Sequence, residues 1–119
     1  NQFGDILTDL GAGLVGGLGL APGLCVGSSQ AMSQATHGSA PDIVGQNIAN
    51  PYAMIMSGKM LLEWFGRETS DLKFQKAATK IDAAVEKIIQ EAKFITQDMG
   101  GTSATQQMGD EICNVIQGN

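Results

Sequence analysis

Apolar residues recur at helical spacing along three stretches of the chain, and those stretches outline its architecture. After Asn50-Pro51, the residues Met54, Ile55, Leu61, Leu62 and Phe65 fall near the helical period. Asn suits an N-cap and Pro the first helical position, where a missing N–H costs nothing, so a helix begins there. Gly66 is its expected stop. Ser70 can cap a second helix, with Phe74, Ala77, Ile81, Ala84, Val85, Ile88 and Ala92 on one face and solvated Lys and Glu opposite. Past the Gly100-Gly101 break, a last helix carries Met108, Ile112, Val115 and Ile116. Met54, Met56 and Met60 read as core filler.

The first part of the chain is patterned differently. Asp5 to Leu10 looks helical, but Leu10 to Val26 carries no charge at all. A membrane span needs about 20 apolar residues, and this run is broken by six glycines and a proline, so buried strand-and-turn backbone is expected instead. Ala31 to Thr36, set between Gly27/Ser28/Ser29 and His37-Gly38, reads as a short buried strand ending in a loop that runs to Ala49. Phe94-Ile95-Thr96 is a third candidate strand. Short strands with amphipathic helices predict an α/β fold, one partial layered domain over residues 1–119. Two or three strands are too few for a sheet buried on both faces. The missing neighbours must come from upstream sequence or from a second copy of the chain.

Composition narrows the functions. Of 119 residues, 43% are hydrophobic and 16% charged, which is a globular balance. A net charge of -5 without any Lys/Arg cluster excludes nucleic acid as a partner. Cys25 and Cys113 match no metal-ligand pattern and read as two reduced core thiols of a cytoplasmic or organellar protein. The first residue is Asn1, so a longer precursor or a larger protein is expected.

Two constellations carry chemistry. Asp5 and Asp9, four residues apart, project from one helix face; such hard oxygen donors suit Mg²⁺ or Mn²⁺, though acidic residues in a first helical turn also simply match its dipole. His37-Gly38-Ser39-Ala40-Pro41-Asp42 places a ring, a hydroxyl and a carboxylate in a loop after a strand, where open α/β sheets bind ligands. An aspartate there can accept from both hydroxyls of a ribose and repel a ribose phosphate. Gly11-Ala12-Gly13-Leu14-Val15-Gly16 matches GxGxxG formally, but the segment before it is helical, so it is no dinucleotide fingerprint.

Four motifs occur together in order: Gly4-Asp5-Ile6-Leu7-Thr8-Asp9, Gly16-Gly17-Leu18-Gly19-Leu20-Ala21-Pro22, His37 through Ile43, and Ile48-Ala49-Asn50-Pro51, with Asp98-Met99-Gly100-Gly101-Thr102 beyond. In these the whole chain resembles the C-terminal third of the isocitrate/isopropylmalate dehydrogenase family of decarboxylating enzymes, which includes tartrate/D-malate and homoisocitrate dehydrogenases. The resemblance implies that Asp5 and Asp9 bind the metal. It implies that His37, Gly38, Ser39 and Ala40 hold the adenosine and phosphate of the coenzyme. Asp42, with Ile43 beside it, matches members that use NAD rather than NADP, and Asn50 matches the residue at the adenine.

The family oxidises a substrate hydroxyl by hydride transfer to NAD and then releases CO₂. That chemistry takes substrate-binding arginines, a Tyr, a Lys and a third Asp, all from segments upstream of the one resembled here. Arg67 and Tyr52 stand outside those motifs. The resemblance therefore implies a coenzyme- and metal-binding part that is inactive alone and acts with the remainder of the enzyme or as a homo-oligomer. A free-standing module that is structural or binds NAD without turnover is the alternative.

Overall fold

The computed structural model describes residues 4–118. In order these form α1 (Gly4–Val15), β1 (Leu24–Val26), β2 (Ala31–Ser33), α2 (Tyr52–Glu68), α3 (Leu72–Glu91) and α4 (Thr105–Gln117), with single 3-10 turns at Leu18–Leu20, Pro41–Ile43 and Gln97–Met99. Helices dominate, and the sheet is a single antiparallel hairpin pairing Leu24 with Ser33, Cys25 with Met32 and Val26 with Ala31. Backbone bonds from Gln34 to Gly23 and from Thr36 to Ala21 continue the pairing below it.

The three helices expected from periodicity form where the apolar residues recur. At the start of α2, Asn50 Oδ1 accepts the Tyr52 N–H at 2.9 Å, but the first helical bond runs from Ile55 N to the Pro51 carbonyl, so Pro51 is the N-cap and the helix begins at Tyr52, one residue later than expected. Their buried faces meet in one core of Ala84, Val85, Ile88, Ile95, Met108 and Ile112, with Ile55, Met56 and Ile81 packed around it. Complete burial of one such aliphatic side chain stabilises by about 1.5–3 kcal/mol, so this cluster carries most of the fold. The hairpin is fastened to α2 by the fully buried Ser57, whose hydroxyl donates to Ala53 O at 2.7 Å and accepts from Gly23 N at 3.0 Å.

Several local expectations are corrected. Gly66 does not end α2; it is buried within it, where an added Cβ would come within 2.9 Å of Gln75 Cγ and 3.2 Å of Asp71 O. Glycine serves there to let the start of α3 approach α2. The cap of α3 is Asp71, which accepts from Lys73 N at 2.8 Å, while Ser70 makes the connecting turn at φ 54°. Phe94-Ile95-Thr96 is not a strand. The carbonyls of Ile95 and Thr96 are taken by Ser103 N and Gly101 N, closing a turn instead of a ladder. Helix α1 continues through Val15 across the start of the uncharged run expected to be strand and turn, and Gly11 to Val15 of the GxGxxG match fall on it, with Gly16 in the turn that follows. Strand β2 is only half-buried, Met54 is exposed, and both cysteines are exposed rather than core thiols.

Candidate functional site

The loop from His37 to Asn50 leaves the hairpin directly after the buried Ala35. His37 Nδ1 lies 2.9 Å from Gly38 O; a carbonyl only accepts, so Nδ1 is the donor of this bond. Ala40 takes the left-handed conformation (φ 43°, ψ 61°) just before Pro41, a strained arrangement that turns the chain sharply into the Pro41–Ile43 turn. That turn is closed by Ile43 N to Ala40 O and by Gln46 Nε2 to Asp42 O at 2.7 Å. The loop wraps an open hollow of about 410 Å³ lined by His37, Gly38, Ser39, Ala40, Ile43, Val44, Gly45, Asn47, Ile48, Ala49 and Thr105. Five of the seven residues expected to hold a coenzyme thus share one wall. Asp42 stands exposed between the lining residues Ala40 and Ile43, and Asn50 lies just past Ala49; neither side chain lines the hollow.

The C-terminal part of the chain braces this loop from behind. Asn50 Nδ2 donates to Asp98 Oδ2 at 2.9 Å, and Thr96 donates to the other carboxylate oxygen at 2.6 Å. Asn50 therefore spends both ends of its amide on the protein, one on Tyr52 N and one on Asp98. At α4, Thr105 N donates to Asn47 O at 2.9 Å, Gln106 N donates to Asn47 Oδ1 at 3.1 Å, and the Thr105 hydroxyl donates to Ala49 O.

Asp5 and Asp9 project from α1 into a separate cleft of about 640 Å³, together with Thr8, Ala21 to Cys25, Met32 and Gln34 to Thr36. The two hollows adjoin along the chain, since Thr36 lines one and His37 the other. The carboxylates share an exposed face and are hard oxygen donors, so their chemistry fits Mg²⁺ or Mn²⁺ in kind. Their number does not complete a site. Among the described residues no three His, Cys, Asp or Glu side chains converge to hold a metal ion. No helix of the described residues is long and apolar enough to cross a membrane.

Asn47, Thr96 and Thr105 escaped the sequence reading. The partners of Asn47 and Thr105 lie far away in the chain, up to 59 residues for Gln106 and Asn47, and periodicity carries no signal at that range; Thr96 meets Asp98 only two residues on, but inside a segment whose apolar residues read as a strand.

Four similarities relate this chain to known proteins. The profile of the isocitrate/isopropylmalate dehydrogenase family matches residues 1–112. The chain is 46% identical over 115 residues to the mitochondrial NAD isocitrate dehydrogenase catalytic subunit 5 of Arabidopsis thaliana, covering 96% of this chain and 29% of that one. It is likewise 46% identical over 116 residues to the 3-isopropylmalate dehydrogenase of Archaeoglobus fulgidus, covering 98% and 33%. The crystal structure of isocitrate dehydrogenase from Methylococcus capsulatus superposes with a TM-score of 0.86 at 44% identity, over 98% of this chain and 33% of that one. The chain thus spans about a third of the length of the relatives it matches.

Proposed function

The chain belongs to the isocitrate/isopropylmalate dehydrogenase family, and from that premise we propose that it is the C-terminal, coenzyme- and metal-binding portion of an NAD-linked 2-hydroxy-acid oxidative decarboxylase. The observation that carries this reading is the gathering of His37, Gly38, Ser39, Ala40 and Ile43 around one hollow, beside the exposed carboxylate of Asp42. An open, preformed hollow of this kind suits the adenosine half of NAD. Asp42 accepts from the ribose hydroxyls and repels the additional phosphate of NADP. The bonds of the Asn50 amide to Tyr52 N and Asp98 fix its orientation and leave one N–H of its NH₂ group free of those bonds to serve the adenine.

Asp5 and Asp9 supply two oxygen donors for a divalent cation, and further donors come from outside this chain. A cation bound there supplies Lewis-acid stabilisation of negative charge developing on substrate oxygen. Arg67 is the chain's single arginine, so nothing here can clamp two or three substrate carboxylates. The portion is therefore inactive alone. It requires the remainder of the enzyme or a second copy, in keeping with the exposed apolar residues of α1. Two exposed free cysteines suit a reducing compartment, the cytoplasm or an organellar matrix.

Titration of NADH fluorescence with the chain, using NADPH as control, tests the reading. Saturable binding that prefers NADH, and an Asp42→Lys variant that loses about tenfold in NADH affinity (on the order of 1.4 kcal/mol), is the expected result. Absence of binding by either coenzyme would overturn it.

A further inference from the structure

We infer that Asn47 and Thr105 are positioning residues for the coenzyme loop, so that the start of α4 serves as its brace; this rests on the reading of the His37–Asn50 loop as the NAD site. A loop of this length has no ladder of its own, and its shape must be imposed by bonds to rigid elements. Three such bonds converge on residues 47 to 49. The Asn47 carbonyl accepts from Thr105 N at 2.9 Å, its side-chain oxygen accepts from Gln106 N at 3.1 Å, and Ala49 O accepts the Thr105 hydroxyl. These N–H groups are two of the orphan donors at the α4 N-terminus, so the same contacts cap the helix and hold the loop. Asn47 is itself left-handed (φ 56°), a conformation Asn tolerates better than most residues, and this lets its carbonyl and side chain face α4 together. Both Asn47 and Thr105 line the hollow.

Loop placement and helix capping can be separated, because α4 has a second capping contact that leaves the loop untouched. Gln107 Oε1 accepts from Ala104 N at 2.9 Å. Asn47→Gly keeps the left-handed backbone and removes only the side-chain acceptor, and Thr105→Val removes only the hydroxyl. Thr105→Ser restores the hydroxyl. Gln107→Ala weakens the cap without reaching the loop.

The test is an NADH titration, with a thermal melt alongside, on the protein as its gene encodes it. Asn47→Gly and Thr105→Val are expected to raise the NADH Kd about five-fold each, the loss of one buttressing hydrogen bond, while Thr105→Ser stays near the parent. Gln107→Ala should lower Tm and leave the Kd unchanged. If Asn47→Gly and Thr105→Val bind NADH like the parent, the inference fails while the NAD reading stands. It fails equally if all three destabilising variants weaken binding in proportion to Tm, since that would be helix stability alone. A parent that binds no NADH overturns the reading and the inference together.

Discussion

Helices α1 and α3 are both rich in apolar side chains, yet they meet opposite fates. Helix α3 buries Ala78, Ala84, Val85 and Ile88 against α2 and α4, and keeps its lysines and glutamates in water. Helix α1 buries Ala12 alone, while Ile6, Leu7, Leu10 and Leu14 stand 62–83% exposed. A helix apolar on nearly every side is built to be covered on nearly every side. The difference separates a part of the chain that makes its own core from a part whose apolar side chains stay exposed among the described residues. The metal-binding candidates Asp5 and Asp9 ride on the second kind, and the loop proposed to hold the coenzyme is braced by the first.

Ile88→Ala and Leu14→Ala would break this comparison most sharply. Ile88 is 1% exposed at the centre of the core, so its truncation should lower the unfolding free energy by about 2–5 kcal/mol. Leu14 is 83% exposed, and the same kind of truncation in the isolated chain should stay within about 0.5 kcal/mol. Urea unfolding of the 119-residue chain measures both. A Leu14 effect as large as that of Ile88 would show that α1 is covered in solution, and would turn attention to self-association.

The same division governed what the sequence made legible. Helices α2, α3 and α4 were readable because α2 and α4 each bury one face against α3, which stamps the helical period on Ile55, Ile81, Ile88 and Ile112. The second half of α1 was not, because glycines and uniformly apolar residues from Gly11 to Val15 leave no polar face to define a period. Phe94 to Thr96 misled for another reason. Their β-prone side chains are real, but where a backbone carbonyl bonds is a tertiary fact, and here Gly101 and Ser103 claim Thr96 and Ile95. Of the site, the loop residues His37 to Ile43 were legible as a motif in register with others. The contacts that hold the loop, at Asn47, Asp98 and Thr105, were beyond reach of any local pattern.

Gly101→Ala sharpens the comparison at the junction of core and site. An added Cβ there would run into the Ile95 carbonyl, within the turn that also carries Asp98 to Asn50. The backbone must shift to relieve it, at a cost of about 1–3 kcal/mol. A lowered Tm should therefore be accompanied by weaker NADH binding, because the core side of the molecule shapes the loop. Weakened stability with an unchanged NADH Kd would mean that the turn and the loop move independently.

The smallest expected effect concerns Lys59, which joins α2 to α3 within the self-sufficient half. Its ammonium lies 3.0 Å from Glu63 and 3.5 Å from Asp82. Burial acts to lower its pKa, but the hydrogen bonds and charges of Glu63 and Asp82 outweigh that and hold it above the usual 10.5. A raised pKa in the folded state means that folding favours the charged lysine. The stabilisation is complete below pH 10.5 and is lost as pH climbs through the folded value. With both carboxylates well exposed, solvent screening limits the contribution to about 1 kcal/mol or less. Unfolding free energies measured at neutral pH and again above the lysine range should therefore converge between the parent and Lys59→Met as pH rises. A gap that persists at high pH would assign the lysine's role to packing of its alkyl stem between the two helices, with its charge contributing nothing measurable.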